Sequence, residues 1–80
     1  MKNNEQRLKE IFAEALEVDK EIVISNLIYN SIPEWDSVSH MALVAEIEDS
    51  FNIMLDTDDV LDMSSFAKAK EILSKYDIKF

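Results

Sequence analysis

No glycine occurs anywhere in this 80-residue chain, and proline occurs once, at Pro33. Glycine reaches positive φ at no steric cost, so a chain without it is poorly suited to type I′ hairpins and to backbone loops that wrap a phosphate. Pro33 in turn stops any helix from running through its own position. Strands are not favoured either: residues 21–25 are short and β-branched, but no alternating pattern stands out. These constraints leave helices joined by irregular connections.

The apolar spacing says where the helices fall. Leu8, Ile11, Phe12, Ala15 and Leu16 recur at i, i+3, i+4, i+7 and i+8, one stripe of an amphipathic helix that ends near Val18-Asp19. Residues 19–35 then form a long connection with apolar anchors Ile22, Ile24, Leu27 and Ile28, expected to lie against the core. A second helix runs from Ser37 to Ser50 or Phe51. At 100° per residue Leu43, Ile47, Phe51 and Met54 share one side of it, while Ser37, Met41, Ala45 and Glu48 share another. Residues 57–61 suit a short helix capped by Asp56 or Thr57. A last helix starts at Ser64 or Ser65 and buries Phe66, Ala69, Ile72, Leu73 and Tyr76, with Lys68, Lys70 and Lys75 on its polar side and C-terminal end. The expected fold is all-α: a single domain over residues 1–80, packed as a small four-helix bundle of three main helices and one short one.

Charge narrows the function classes. The formal net charge is −9, and no Lys or Arg stands between Lys20 and Lys68, an interval holding ten acids. Nucleic acid and anionic membrane surfaces are therefore disfavoured partners, and proteins with basic patches are favoured ones. Apolar residues make up 48% of the chain, enough to fold around a core. With no cysteine there is neither a disulfide framework nor a thiolate metal site. No apolar run approaches a membrane span, and residues 1–6 carry no signal-peptide core, so a cytoplasmic location is expected. The chain is also expected to be a monomer.

The pair Asp36-Ser37 is where chemistry enters. An Asp immediately before an apolar-periodic run is placed to accept the backbone N–H of Val38 or Ser39, which makes Ser37 the first helical residue. Its hydroxyl then lies in solvent beside the positive end of the helix dipole, a favourable position for an attached phosphate. The order of amphipathic helix, long loop, Asp36-Ser37-Val38, acidic helix, short acidic segment and final helix resembles the acyl carrier protein family, the phosphopantetheine-binding carrier domains. Leu43-Val44, Ile47-Glu48-Asp49 and Phe51 continue the likeness, which covers residues 8–76.

The resemblance implies that Ser37 bears a covalent 4′-phosphopantetheine arm derived from coenzyme A, with Asp36 the helix cap beside it. The arm's thiol would carry acyl or aminoacyl intermediates as thioesters. The implied partners are a phosphopantetheinyl transferase, an acyl- or aminoacyl-loading enzyme, and downstream transferases or synthases with basic docking patches. The family's partner surface maps onto Val38, Met41, Glu48, Asp49 and Met63. No catalytic residue and no metal site is implied, and the chain is expected not to be an enzyme. Glu34, Trp35, Val38, Ser39 and Ala42 depart from the pattern of fatty-acid-synthesis carriers. That stretch looks more like stand-alone carriers of dedicated pathways, such as polysaccharide acylation, aminoacyl transfer or specialised metabolites.

His40 faces nearer the core than Ser37 does. It reads as a partly buried, hydrogen-bonded residue beside Trp35 rather than a catalyst, and no nucleophile is paired with it. Asp56, Asp58, Asp59 and Asp62 suggest calcium, but counting an EF-hand loop from Asp56 puts Leu61 at the glycine position and Ala67 at the glutamate position, so that reading fails. The alternative from another class is an unmodified acidic helical adaptor that binds a basic protein through its second helix.

Overall fold

The computed structural model describes residues 3–23 and 27–80. Among these residues four helices follow in order: α1 (Asn4–Leu16), α2 (Ser37–Phe51), α3 (Thr57–Asp62) and α4 (Phe66–Ser74), with a 3₁₀ turn at Lys20–Ile22 between α1 and α2. The all-α bundle expected from the sequence is what the chain forms, and α3 is the expected short helix, one residue longer at its C-terminal end.

Each main helix begins at a side-chain cap. The side chain of Asn3 accepts the Gln6 N–H at 2.8 Å, that of Asp36 accepts the Ser39 N–H at 2.9 Å, and Ser65 Oγ accepts the Lys68 N–H at 2.9 Å. Asp56 stands at the N-cap position of α3 but its carboxylate makes no capping bond. The stops are made without glycine. Glu17 closes α1 in the left-handed region at φ 57°, which lets Val18 N–H reach back to the Ala13 carbonyl and Glu17 N–H to that of Glu14. Asn52 closes α2 at φ 54° in the same way, a conformation its short amide side chain tolerates well.

The core gathers residues from the three main helices and the long connection: Leu8, Phe12 and Leu16 of α1, Leu43 and Ile47 of α2, Phe66 and Leu73 of α4, and Val23, Leu27 and Trp35 of the connection. Phe12 is its hub, meeting Trp35 edge-on at 5.4 Å and Phe66 edge-on at 5.1 Å, the geometry that aromatic quadrupoles prefer. α1 packs along α2.

The long connection does lie against the core, but by other means than expected. Ile22 and Ile28 are exposed, and Ile24 falls outside the described residues. The anchors are Val23, Leu27 and Trp35, together with backbone bonds to the start of α4: Phe66 N–H to Leu27 carbonyl at 3.0 Å and Tyr29 N–H to Ser64 carbonyl at 2.7 Å. Met54 is a second correction. Counted as part of the α2 stripe, it is 83% exposed, because the helix has ended at Phe51 and the left-handed Asn52 redirects the chain.

Tyr76 is half-buried rather than core. Its hydroxyl and Lys75 Nζ both bond the buried Asp59 of α3, each at 2.6 Å, tying α3 to the end of α4. The Lys75 bond first, and the Tyr76 bond second, hold the Asp59 carboxyl below its ordinary value. Among the described residues, no helix is long and apolar enough to cross a membrane.

Candidate functional site: the N-terminal end of α2

The start of α2 is fixed by the turns before it. Trp35 N–H bonds the Ile32 carbonyl at 3.2 Å and Asn30 N–H bonds the Trp35 carbonyl at 3.1 Å, folding the chain around Pro33 so that Asp36 arrives extended. From there Asp36 caps the helix through its side chain, while its carbonyl accepts the His40 N–H at 2.9 Å as the first intrahelical bond. The Ser39 N–H holds the Asp36 carboxyl below its ordinary value, so it is anionic at neutral pH. Ser37 is the first helical residue, and it is exposed.

Beside Ser37 lies a groove of about 310 Å³ between α2 and the α3–α4 corner. Ser37 stands at its edge, and Tyr29, Met41, Val60, Leu61 and Met63 supply most of its lining. Large apolar side chains stand open to solvent here: Val38 is 78% exposed, Met41 61% and Leu61 76%. Exposed apolar residues also occur elsewhere, Met54 past the far end of α2 being the most exposed among the described residues at 83%, but here three of them stand near one hydroxyl.

The residues expected at a docking surface are distributed unevenly. Val38 and Met41 are beside Ser37 and exposed. Glu48 and Asp49 lie three turns further along α2, about 16 Å away at 1.5 Å per residue. Asp49 is exposed, but Glu48 is half-buried and its carboxylate accepts the Leu55 N–H at 2.9 Å, so it closes the turn after α2. Met63 is corrected outright as a surface residue: it is 1% exposed and belongs to the core, forming the groove floor instead of its rim. It follows the last residue of α3 with ψ at 77°, which turns the chain inward. Leu61, the outward apolar residue of this segment, carried no periodic signal in a helix of six residues.

His40 and Trp35 meet as the sequence suggested, and more specifically. The Trp35 indole is fully buried and donates its N–H to His40 Nδ1 at 3.0 Å, with the two rings stacked at 6.1 Å. An indole nitrogen can only donate, so His40 Nδ1 is the acceptor and Nε2–H donates to the Val60 carbonyl of α3 at 2.9 Å. Both ring nitrogens are thereby engaged in holding the fold, which leaves the imidazole no free position for acid–base work on Ser37. Tyr29 adds an edge-on contact to each ring, at 5.9 Å to Trp35 and 5.4 Å to His40.

The site can therefore present a solvent-facing hydroxyl at a helix N-terminus, next to an apolar groove, with the His40 imidazole committed to contacts that hold the fold. No known protein-family model matches the chain, and neither does any curated protein.

Proposed function

We propose that this protein is a carrier whose Ser37 bears a 4′-phosphopantetheine arm and presents acyl or aminoacyl groups to partner enzymes. One observation carries the reading: Ser37 is exposed as the first residue of the 15-residue helix α2, at the edge of an apolar groove. A phosphodiester at that hydroxyl would stand at the helix end that favours anions. The apolar groove beside it gives an arm a surface to lie against. When bound, the arm supplies a thiol that forms thioesters, a group this cysteine-free chain lacks.

Attachment requires a transferase that contributes the base. Ser37 Oγ attacks the coenzyme A phosphorus nearest the pantetheine, the pyrophosphate bridge breaks, adenosine 3′,5′-bisphosphate leaves, and the serine proton passes to the transferase. Ser37, Val38 and Met41 form the surface a transferase or loading enzyme meets first, and the net charge of −9 favours partners with basic rims. The implied setting is the biosynthesis of a fatty acid, polyketide or polysaccharide, with a cytoplasmic location.

The decisive measurement is intact mass after incubation with coenzyme A and a permissive phosphopantetheinyl transferase. A gain of one phosphopantetheinyl group that disappears in Ser37→Ala is the expected result. No gain, or a gain that survives the substitution, overturns the carrier reading and leaves the unmodified acidic adaptor.

A further inference from the structure

We propose that His40 bolts α2 to α3 across the floor of the groove, so that an acyl chain borne at Ser37 is kept out of the helical interior. The cargo class is then short or polar acyl groups, held at the level of the outer groove. The cargo assignment rests on the carrier reading; the exclusion of a chain from the interior does not, and is a property of the fold alone.

The bolt joins three parts of the molecule. Trp35 belongs to the connection before α2, His40 to α2, and the Val60 carbonyl to α3, and they are linked in series by the 3.0 Å and 2.9 Å bonds through the two imidazole nitrogens. A chain passing from the groove into the core has to separate α2 from α3 at this point. Separation would break the Val60 bond, or turn His40 away and strand the Trp35 indole N–H, which is fully buried. A buried donor that loses its acceptor is penalised heavily, whereas a seam of aliphatic side chains parts and re-forms without such a penalty. Behind the bolt the interior is filled by rings: Trp35 meets Phe12, Phe12 meets Phe66, and Tyr29 braces both Trp35 and His40 from the loop side. Met63 is the compliant part of the floor, since an unbranched thioether adapts its shape readily. It gives the groove softness without opening it, because His40 fixes the distance between the walls.

The chain has no cysteine, so Ser37→Cys creates a unique attachment point that needs no transferase. Alkyl methanethiosulfonates of ethyl, octyl and hexadecyl length would each be coupled there by disulfide exchange, with sulfinate as the leaving group. The readout is the methyl NMR spectrum of Leu43, Ile47 and Leu73 together with the Trp35 indole N–H signal. With His40 in place, the core methyl signals should stay where they are at every chain length. Trp35→Phe/His40→Leu removes the donor and the acceptor together, and should admit the octyl chain, seen as shifts of those methyls that grow from ethyl to octyl. His40→Gln can still accept from the indole and donate to Val60, and should exclude the chains as the parent does.

Movement of the core methyls by octyl or hexadecyl chains in the His40 protein would overturn the proposal. So would continued exclusion in the double variant, which would make aromatic packing the barrier and not His40. None of these outcomes depends on coenzyme A, so a failed modification of Ser37 and a failed bolt are told apart.

Discussion

The two ends of α2 are built on opposite plans. At the C-terminal end the last turn is fastened by residues from outside it. Arg7 of α1 donates to the Ser50 carbonyl at 2.5 Å and to its hydroxyl at 3.1 Å, and the same guanidinium lies 4.5 Å over the Phe51 ring. A fixed cation there answers the negative end of the helix dipole, and Glu48 secures the turn that follows by taking the Leu55 N–H. At the N-terminal end the cap comes from the adjacent residue, Asp36, and the side chains of Ser37 and Val38 that follow it stand in solvent. One turn in, His40 supplies the tie to α3 that the first turn lacks. The contrast separates an anchored end from an exposed one, and under the proposed function the exposed head is the display end, offered to another protein while the tail keeps the helix in place.

The sharpest way to break this comparison is at Ser37. Ser37→Ala should remove all coenzyme A-dependent mass gain, yet change the free energy of unfolding by less than about 0.5 kcal/mol, as an exposed position does. A marked loss of stability would mean that the head is structural after all. Next in size is Arg7→Met, which keeps the apolar stem but deletes a charged hydrogen bond and a cation–π contact. It should cost about 2 kcal/mol in urea unfolding at an unchanged slope. Modification of Ser37 in the folded protein should proceed at the parent rate; a slowed reaction would show that the two ends are coupled. Glu48→Gln weakens a charge-assisted bond to a neutral one and should cost roughly 1 kcal/mol. Amide exchange should then quicken at Leu55 and not at Ser39, and equal acceleration at both would blur the distinction.

How far this division could be read from the sequence depends on whether each feature is local. Asp36 and the start of α2 at Ser37 were legible to the residue, because a cap is a contact between neighbours in sequence; the last helix, expected from Ser64 or Ser65, begins at Phe66 with Ser65 as its cap. The core stripe of α1 followed from periodicity, and the pairing of Trp35 with His40 from their five-residue separation at a helix start. Long-range partners were not legible. Nothing near Arg7 says that it reaches a carbonyl 43 positions away, and nothing near Asp59 says that Lys75 and Tyr76 will enclose it. Met54 failed because angular counting holds only while a helix continues, and the backbone leaves it at Asn52. Met63 failed for another reason: it was placed by resemblance to the family's partner surface, and a resemblance in sequence order does not say which way a residue just past a six-residue helix faces. The groove beside Ser37 exists only once α3 has been placed, so Val60 and Leu61 could not be assigned to it in advance.

The smallest expected effect concerns the cap at the N-terminal end of α2. The N-terminal cap is a carboxylate whose pKa is lowered in the folded protein, chiefly by the Ser39 N–H. A group shifted in this direction contributes its stability fully above the ordinary carboxylate value and loses it as pH falls through the lowered, folded one. Asp36→Asn makes the test specific, since Asn also caps but does not ionise. Asp59, whose pKa is likewise lowered, is present in both proteins and cancels in the difference. The Ser39 amide signal should therefore move on acidification in the parent and stay in place in Asp36→Asn. The thermal midpoints of the two should draw together as the pH falls. Parallel profiles at all pH values would show that the Asp36 carboxylate does not hold this end of α2, and the display end would then owe its position to the His40 tie.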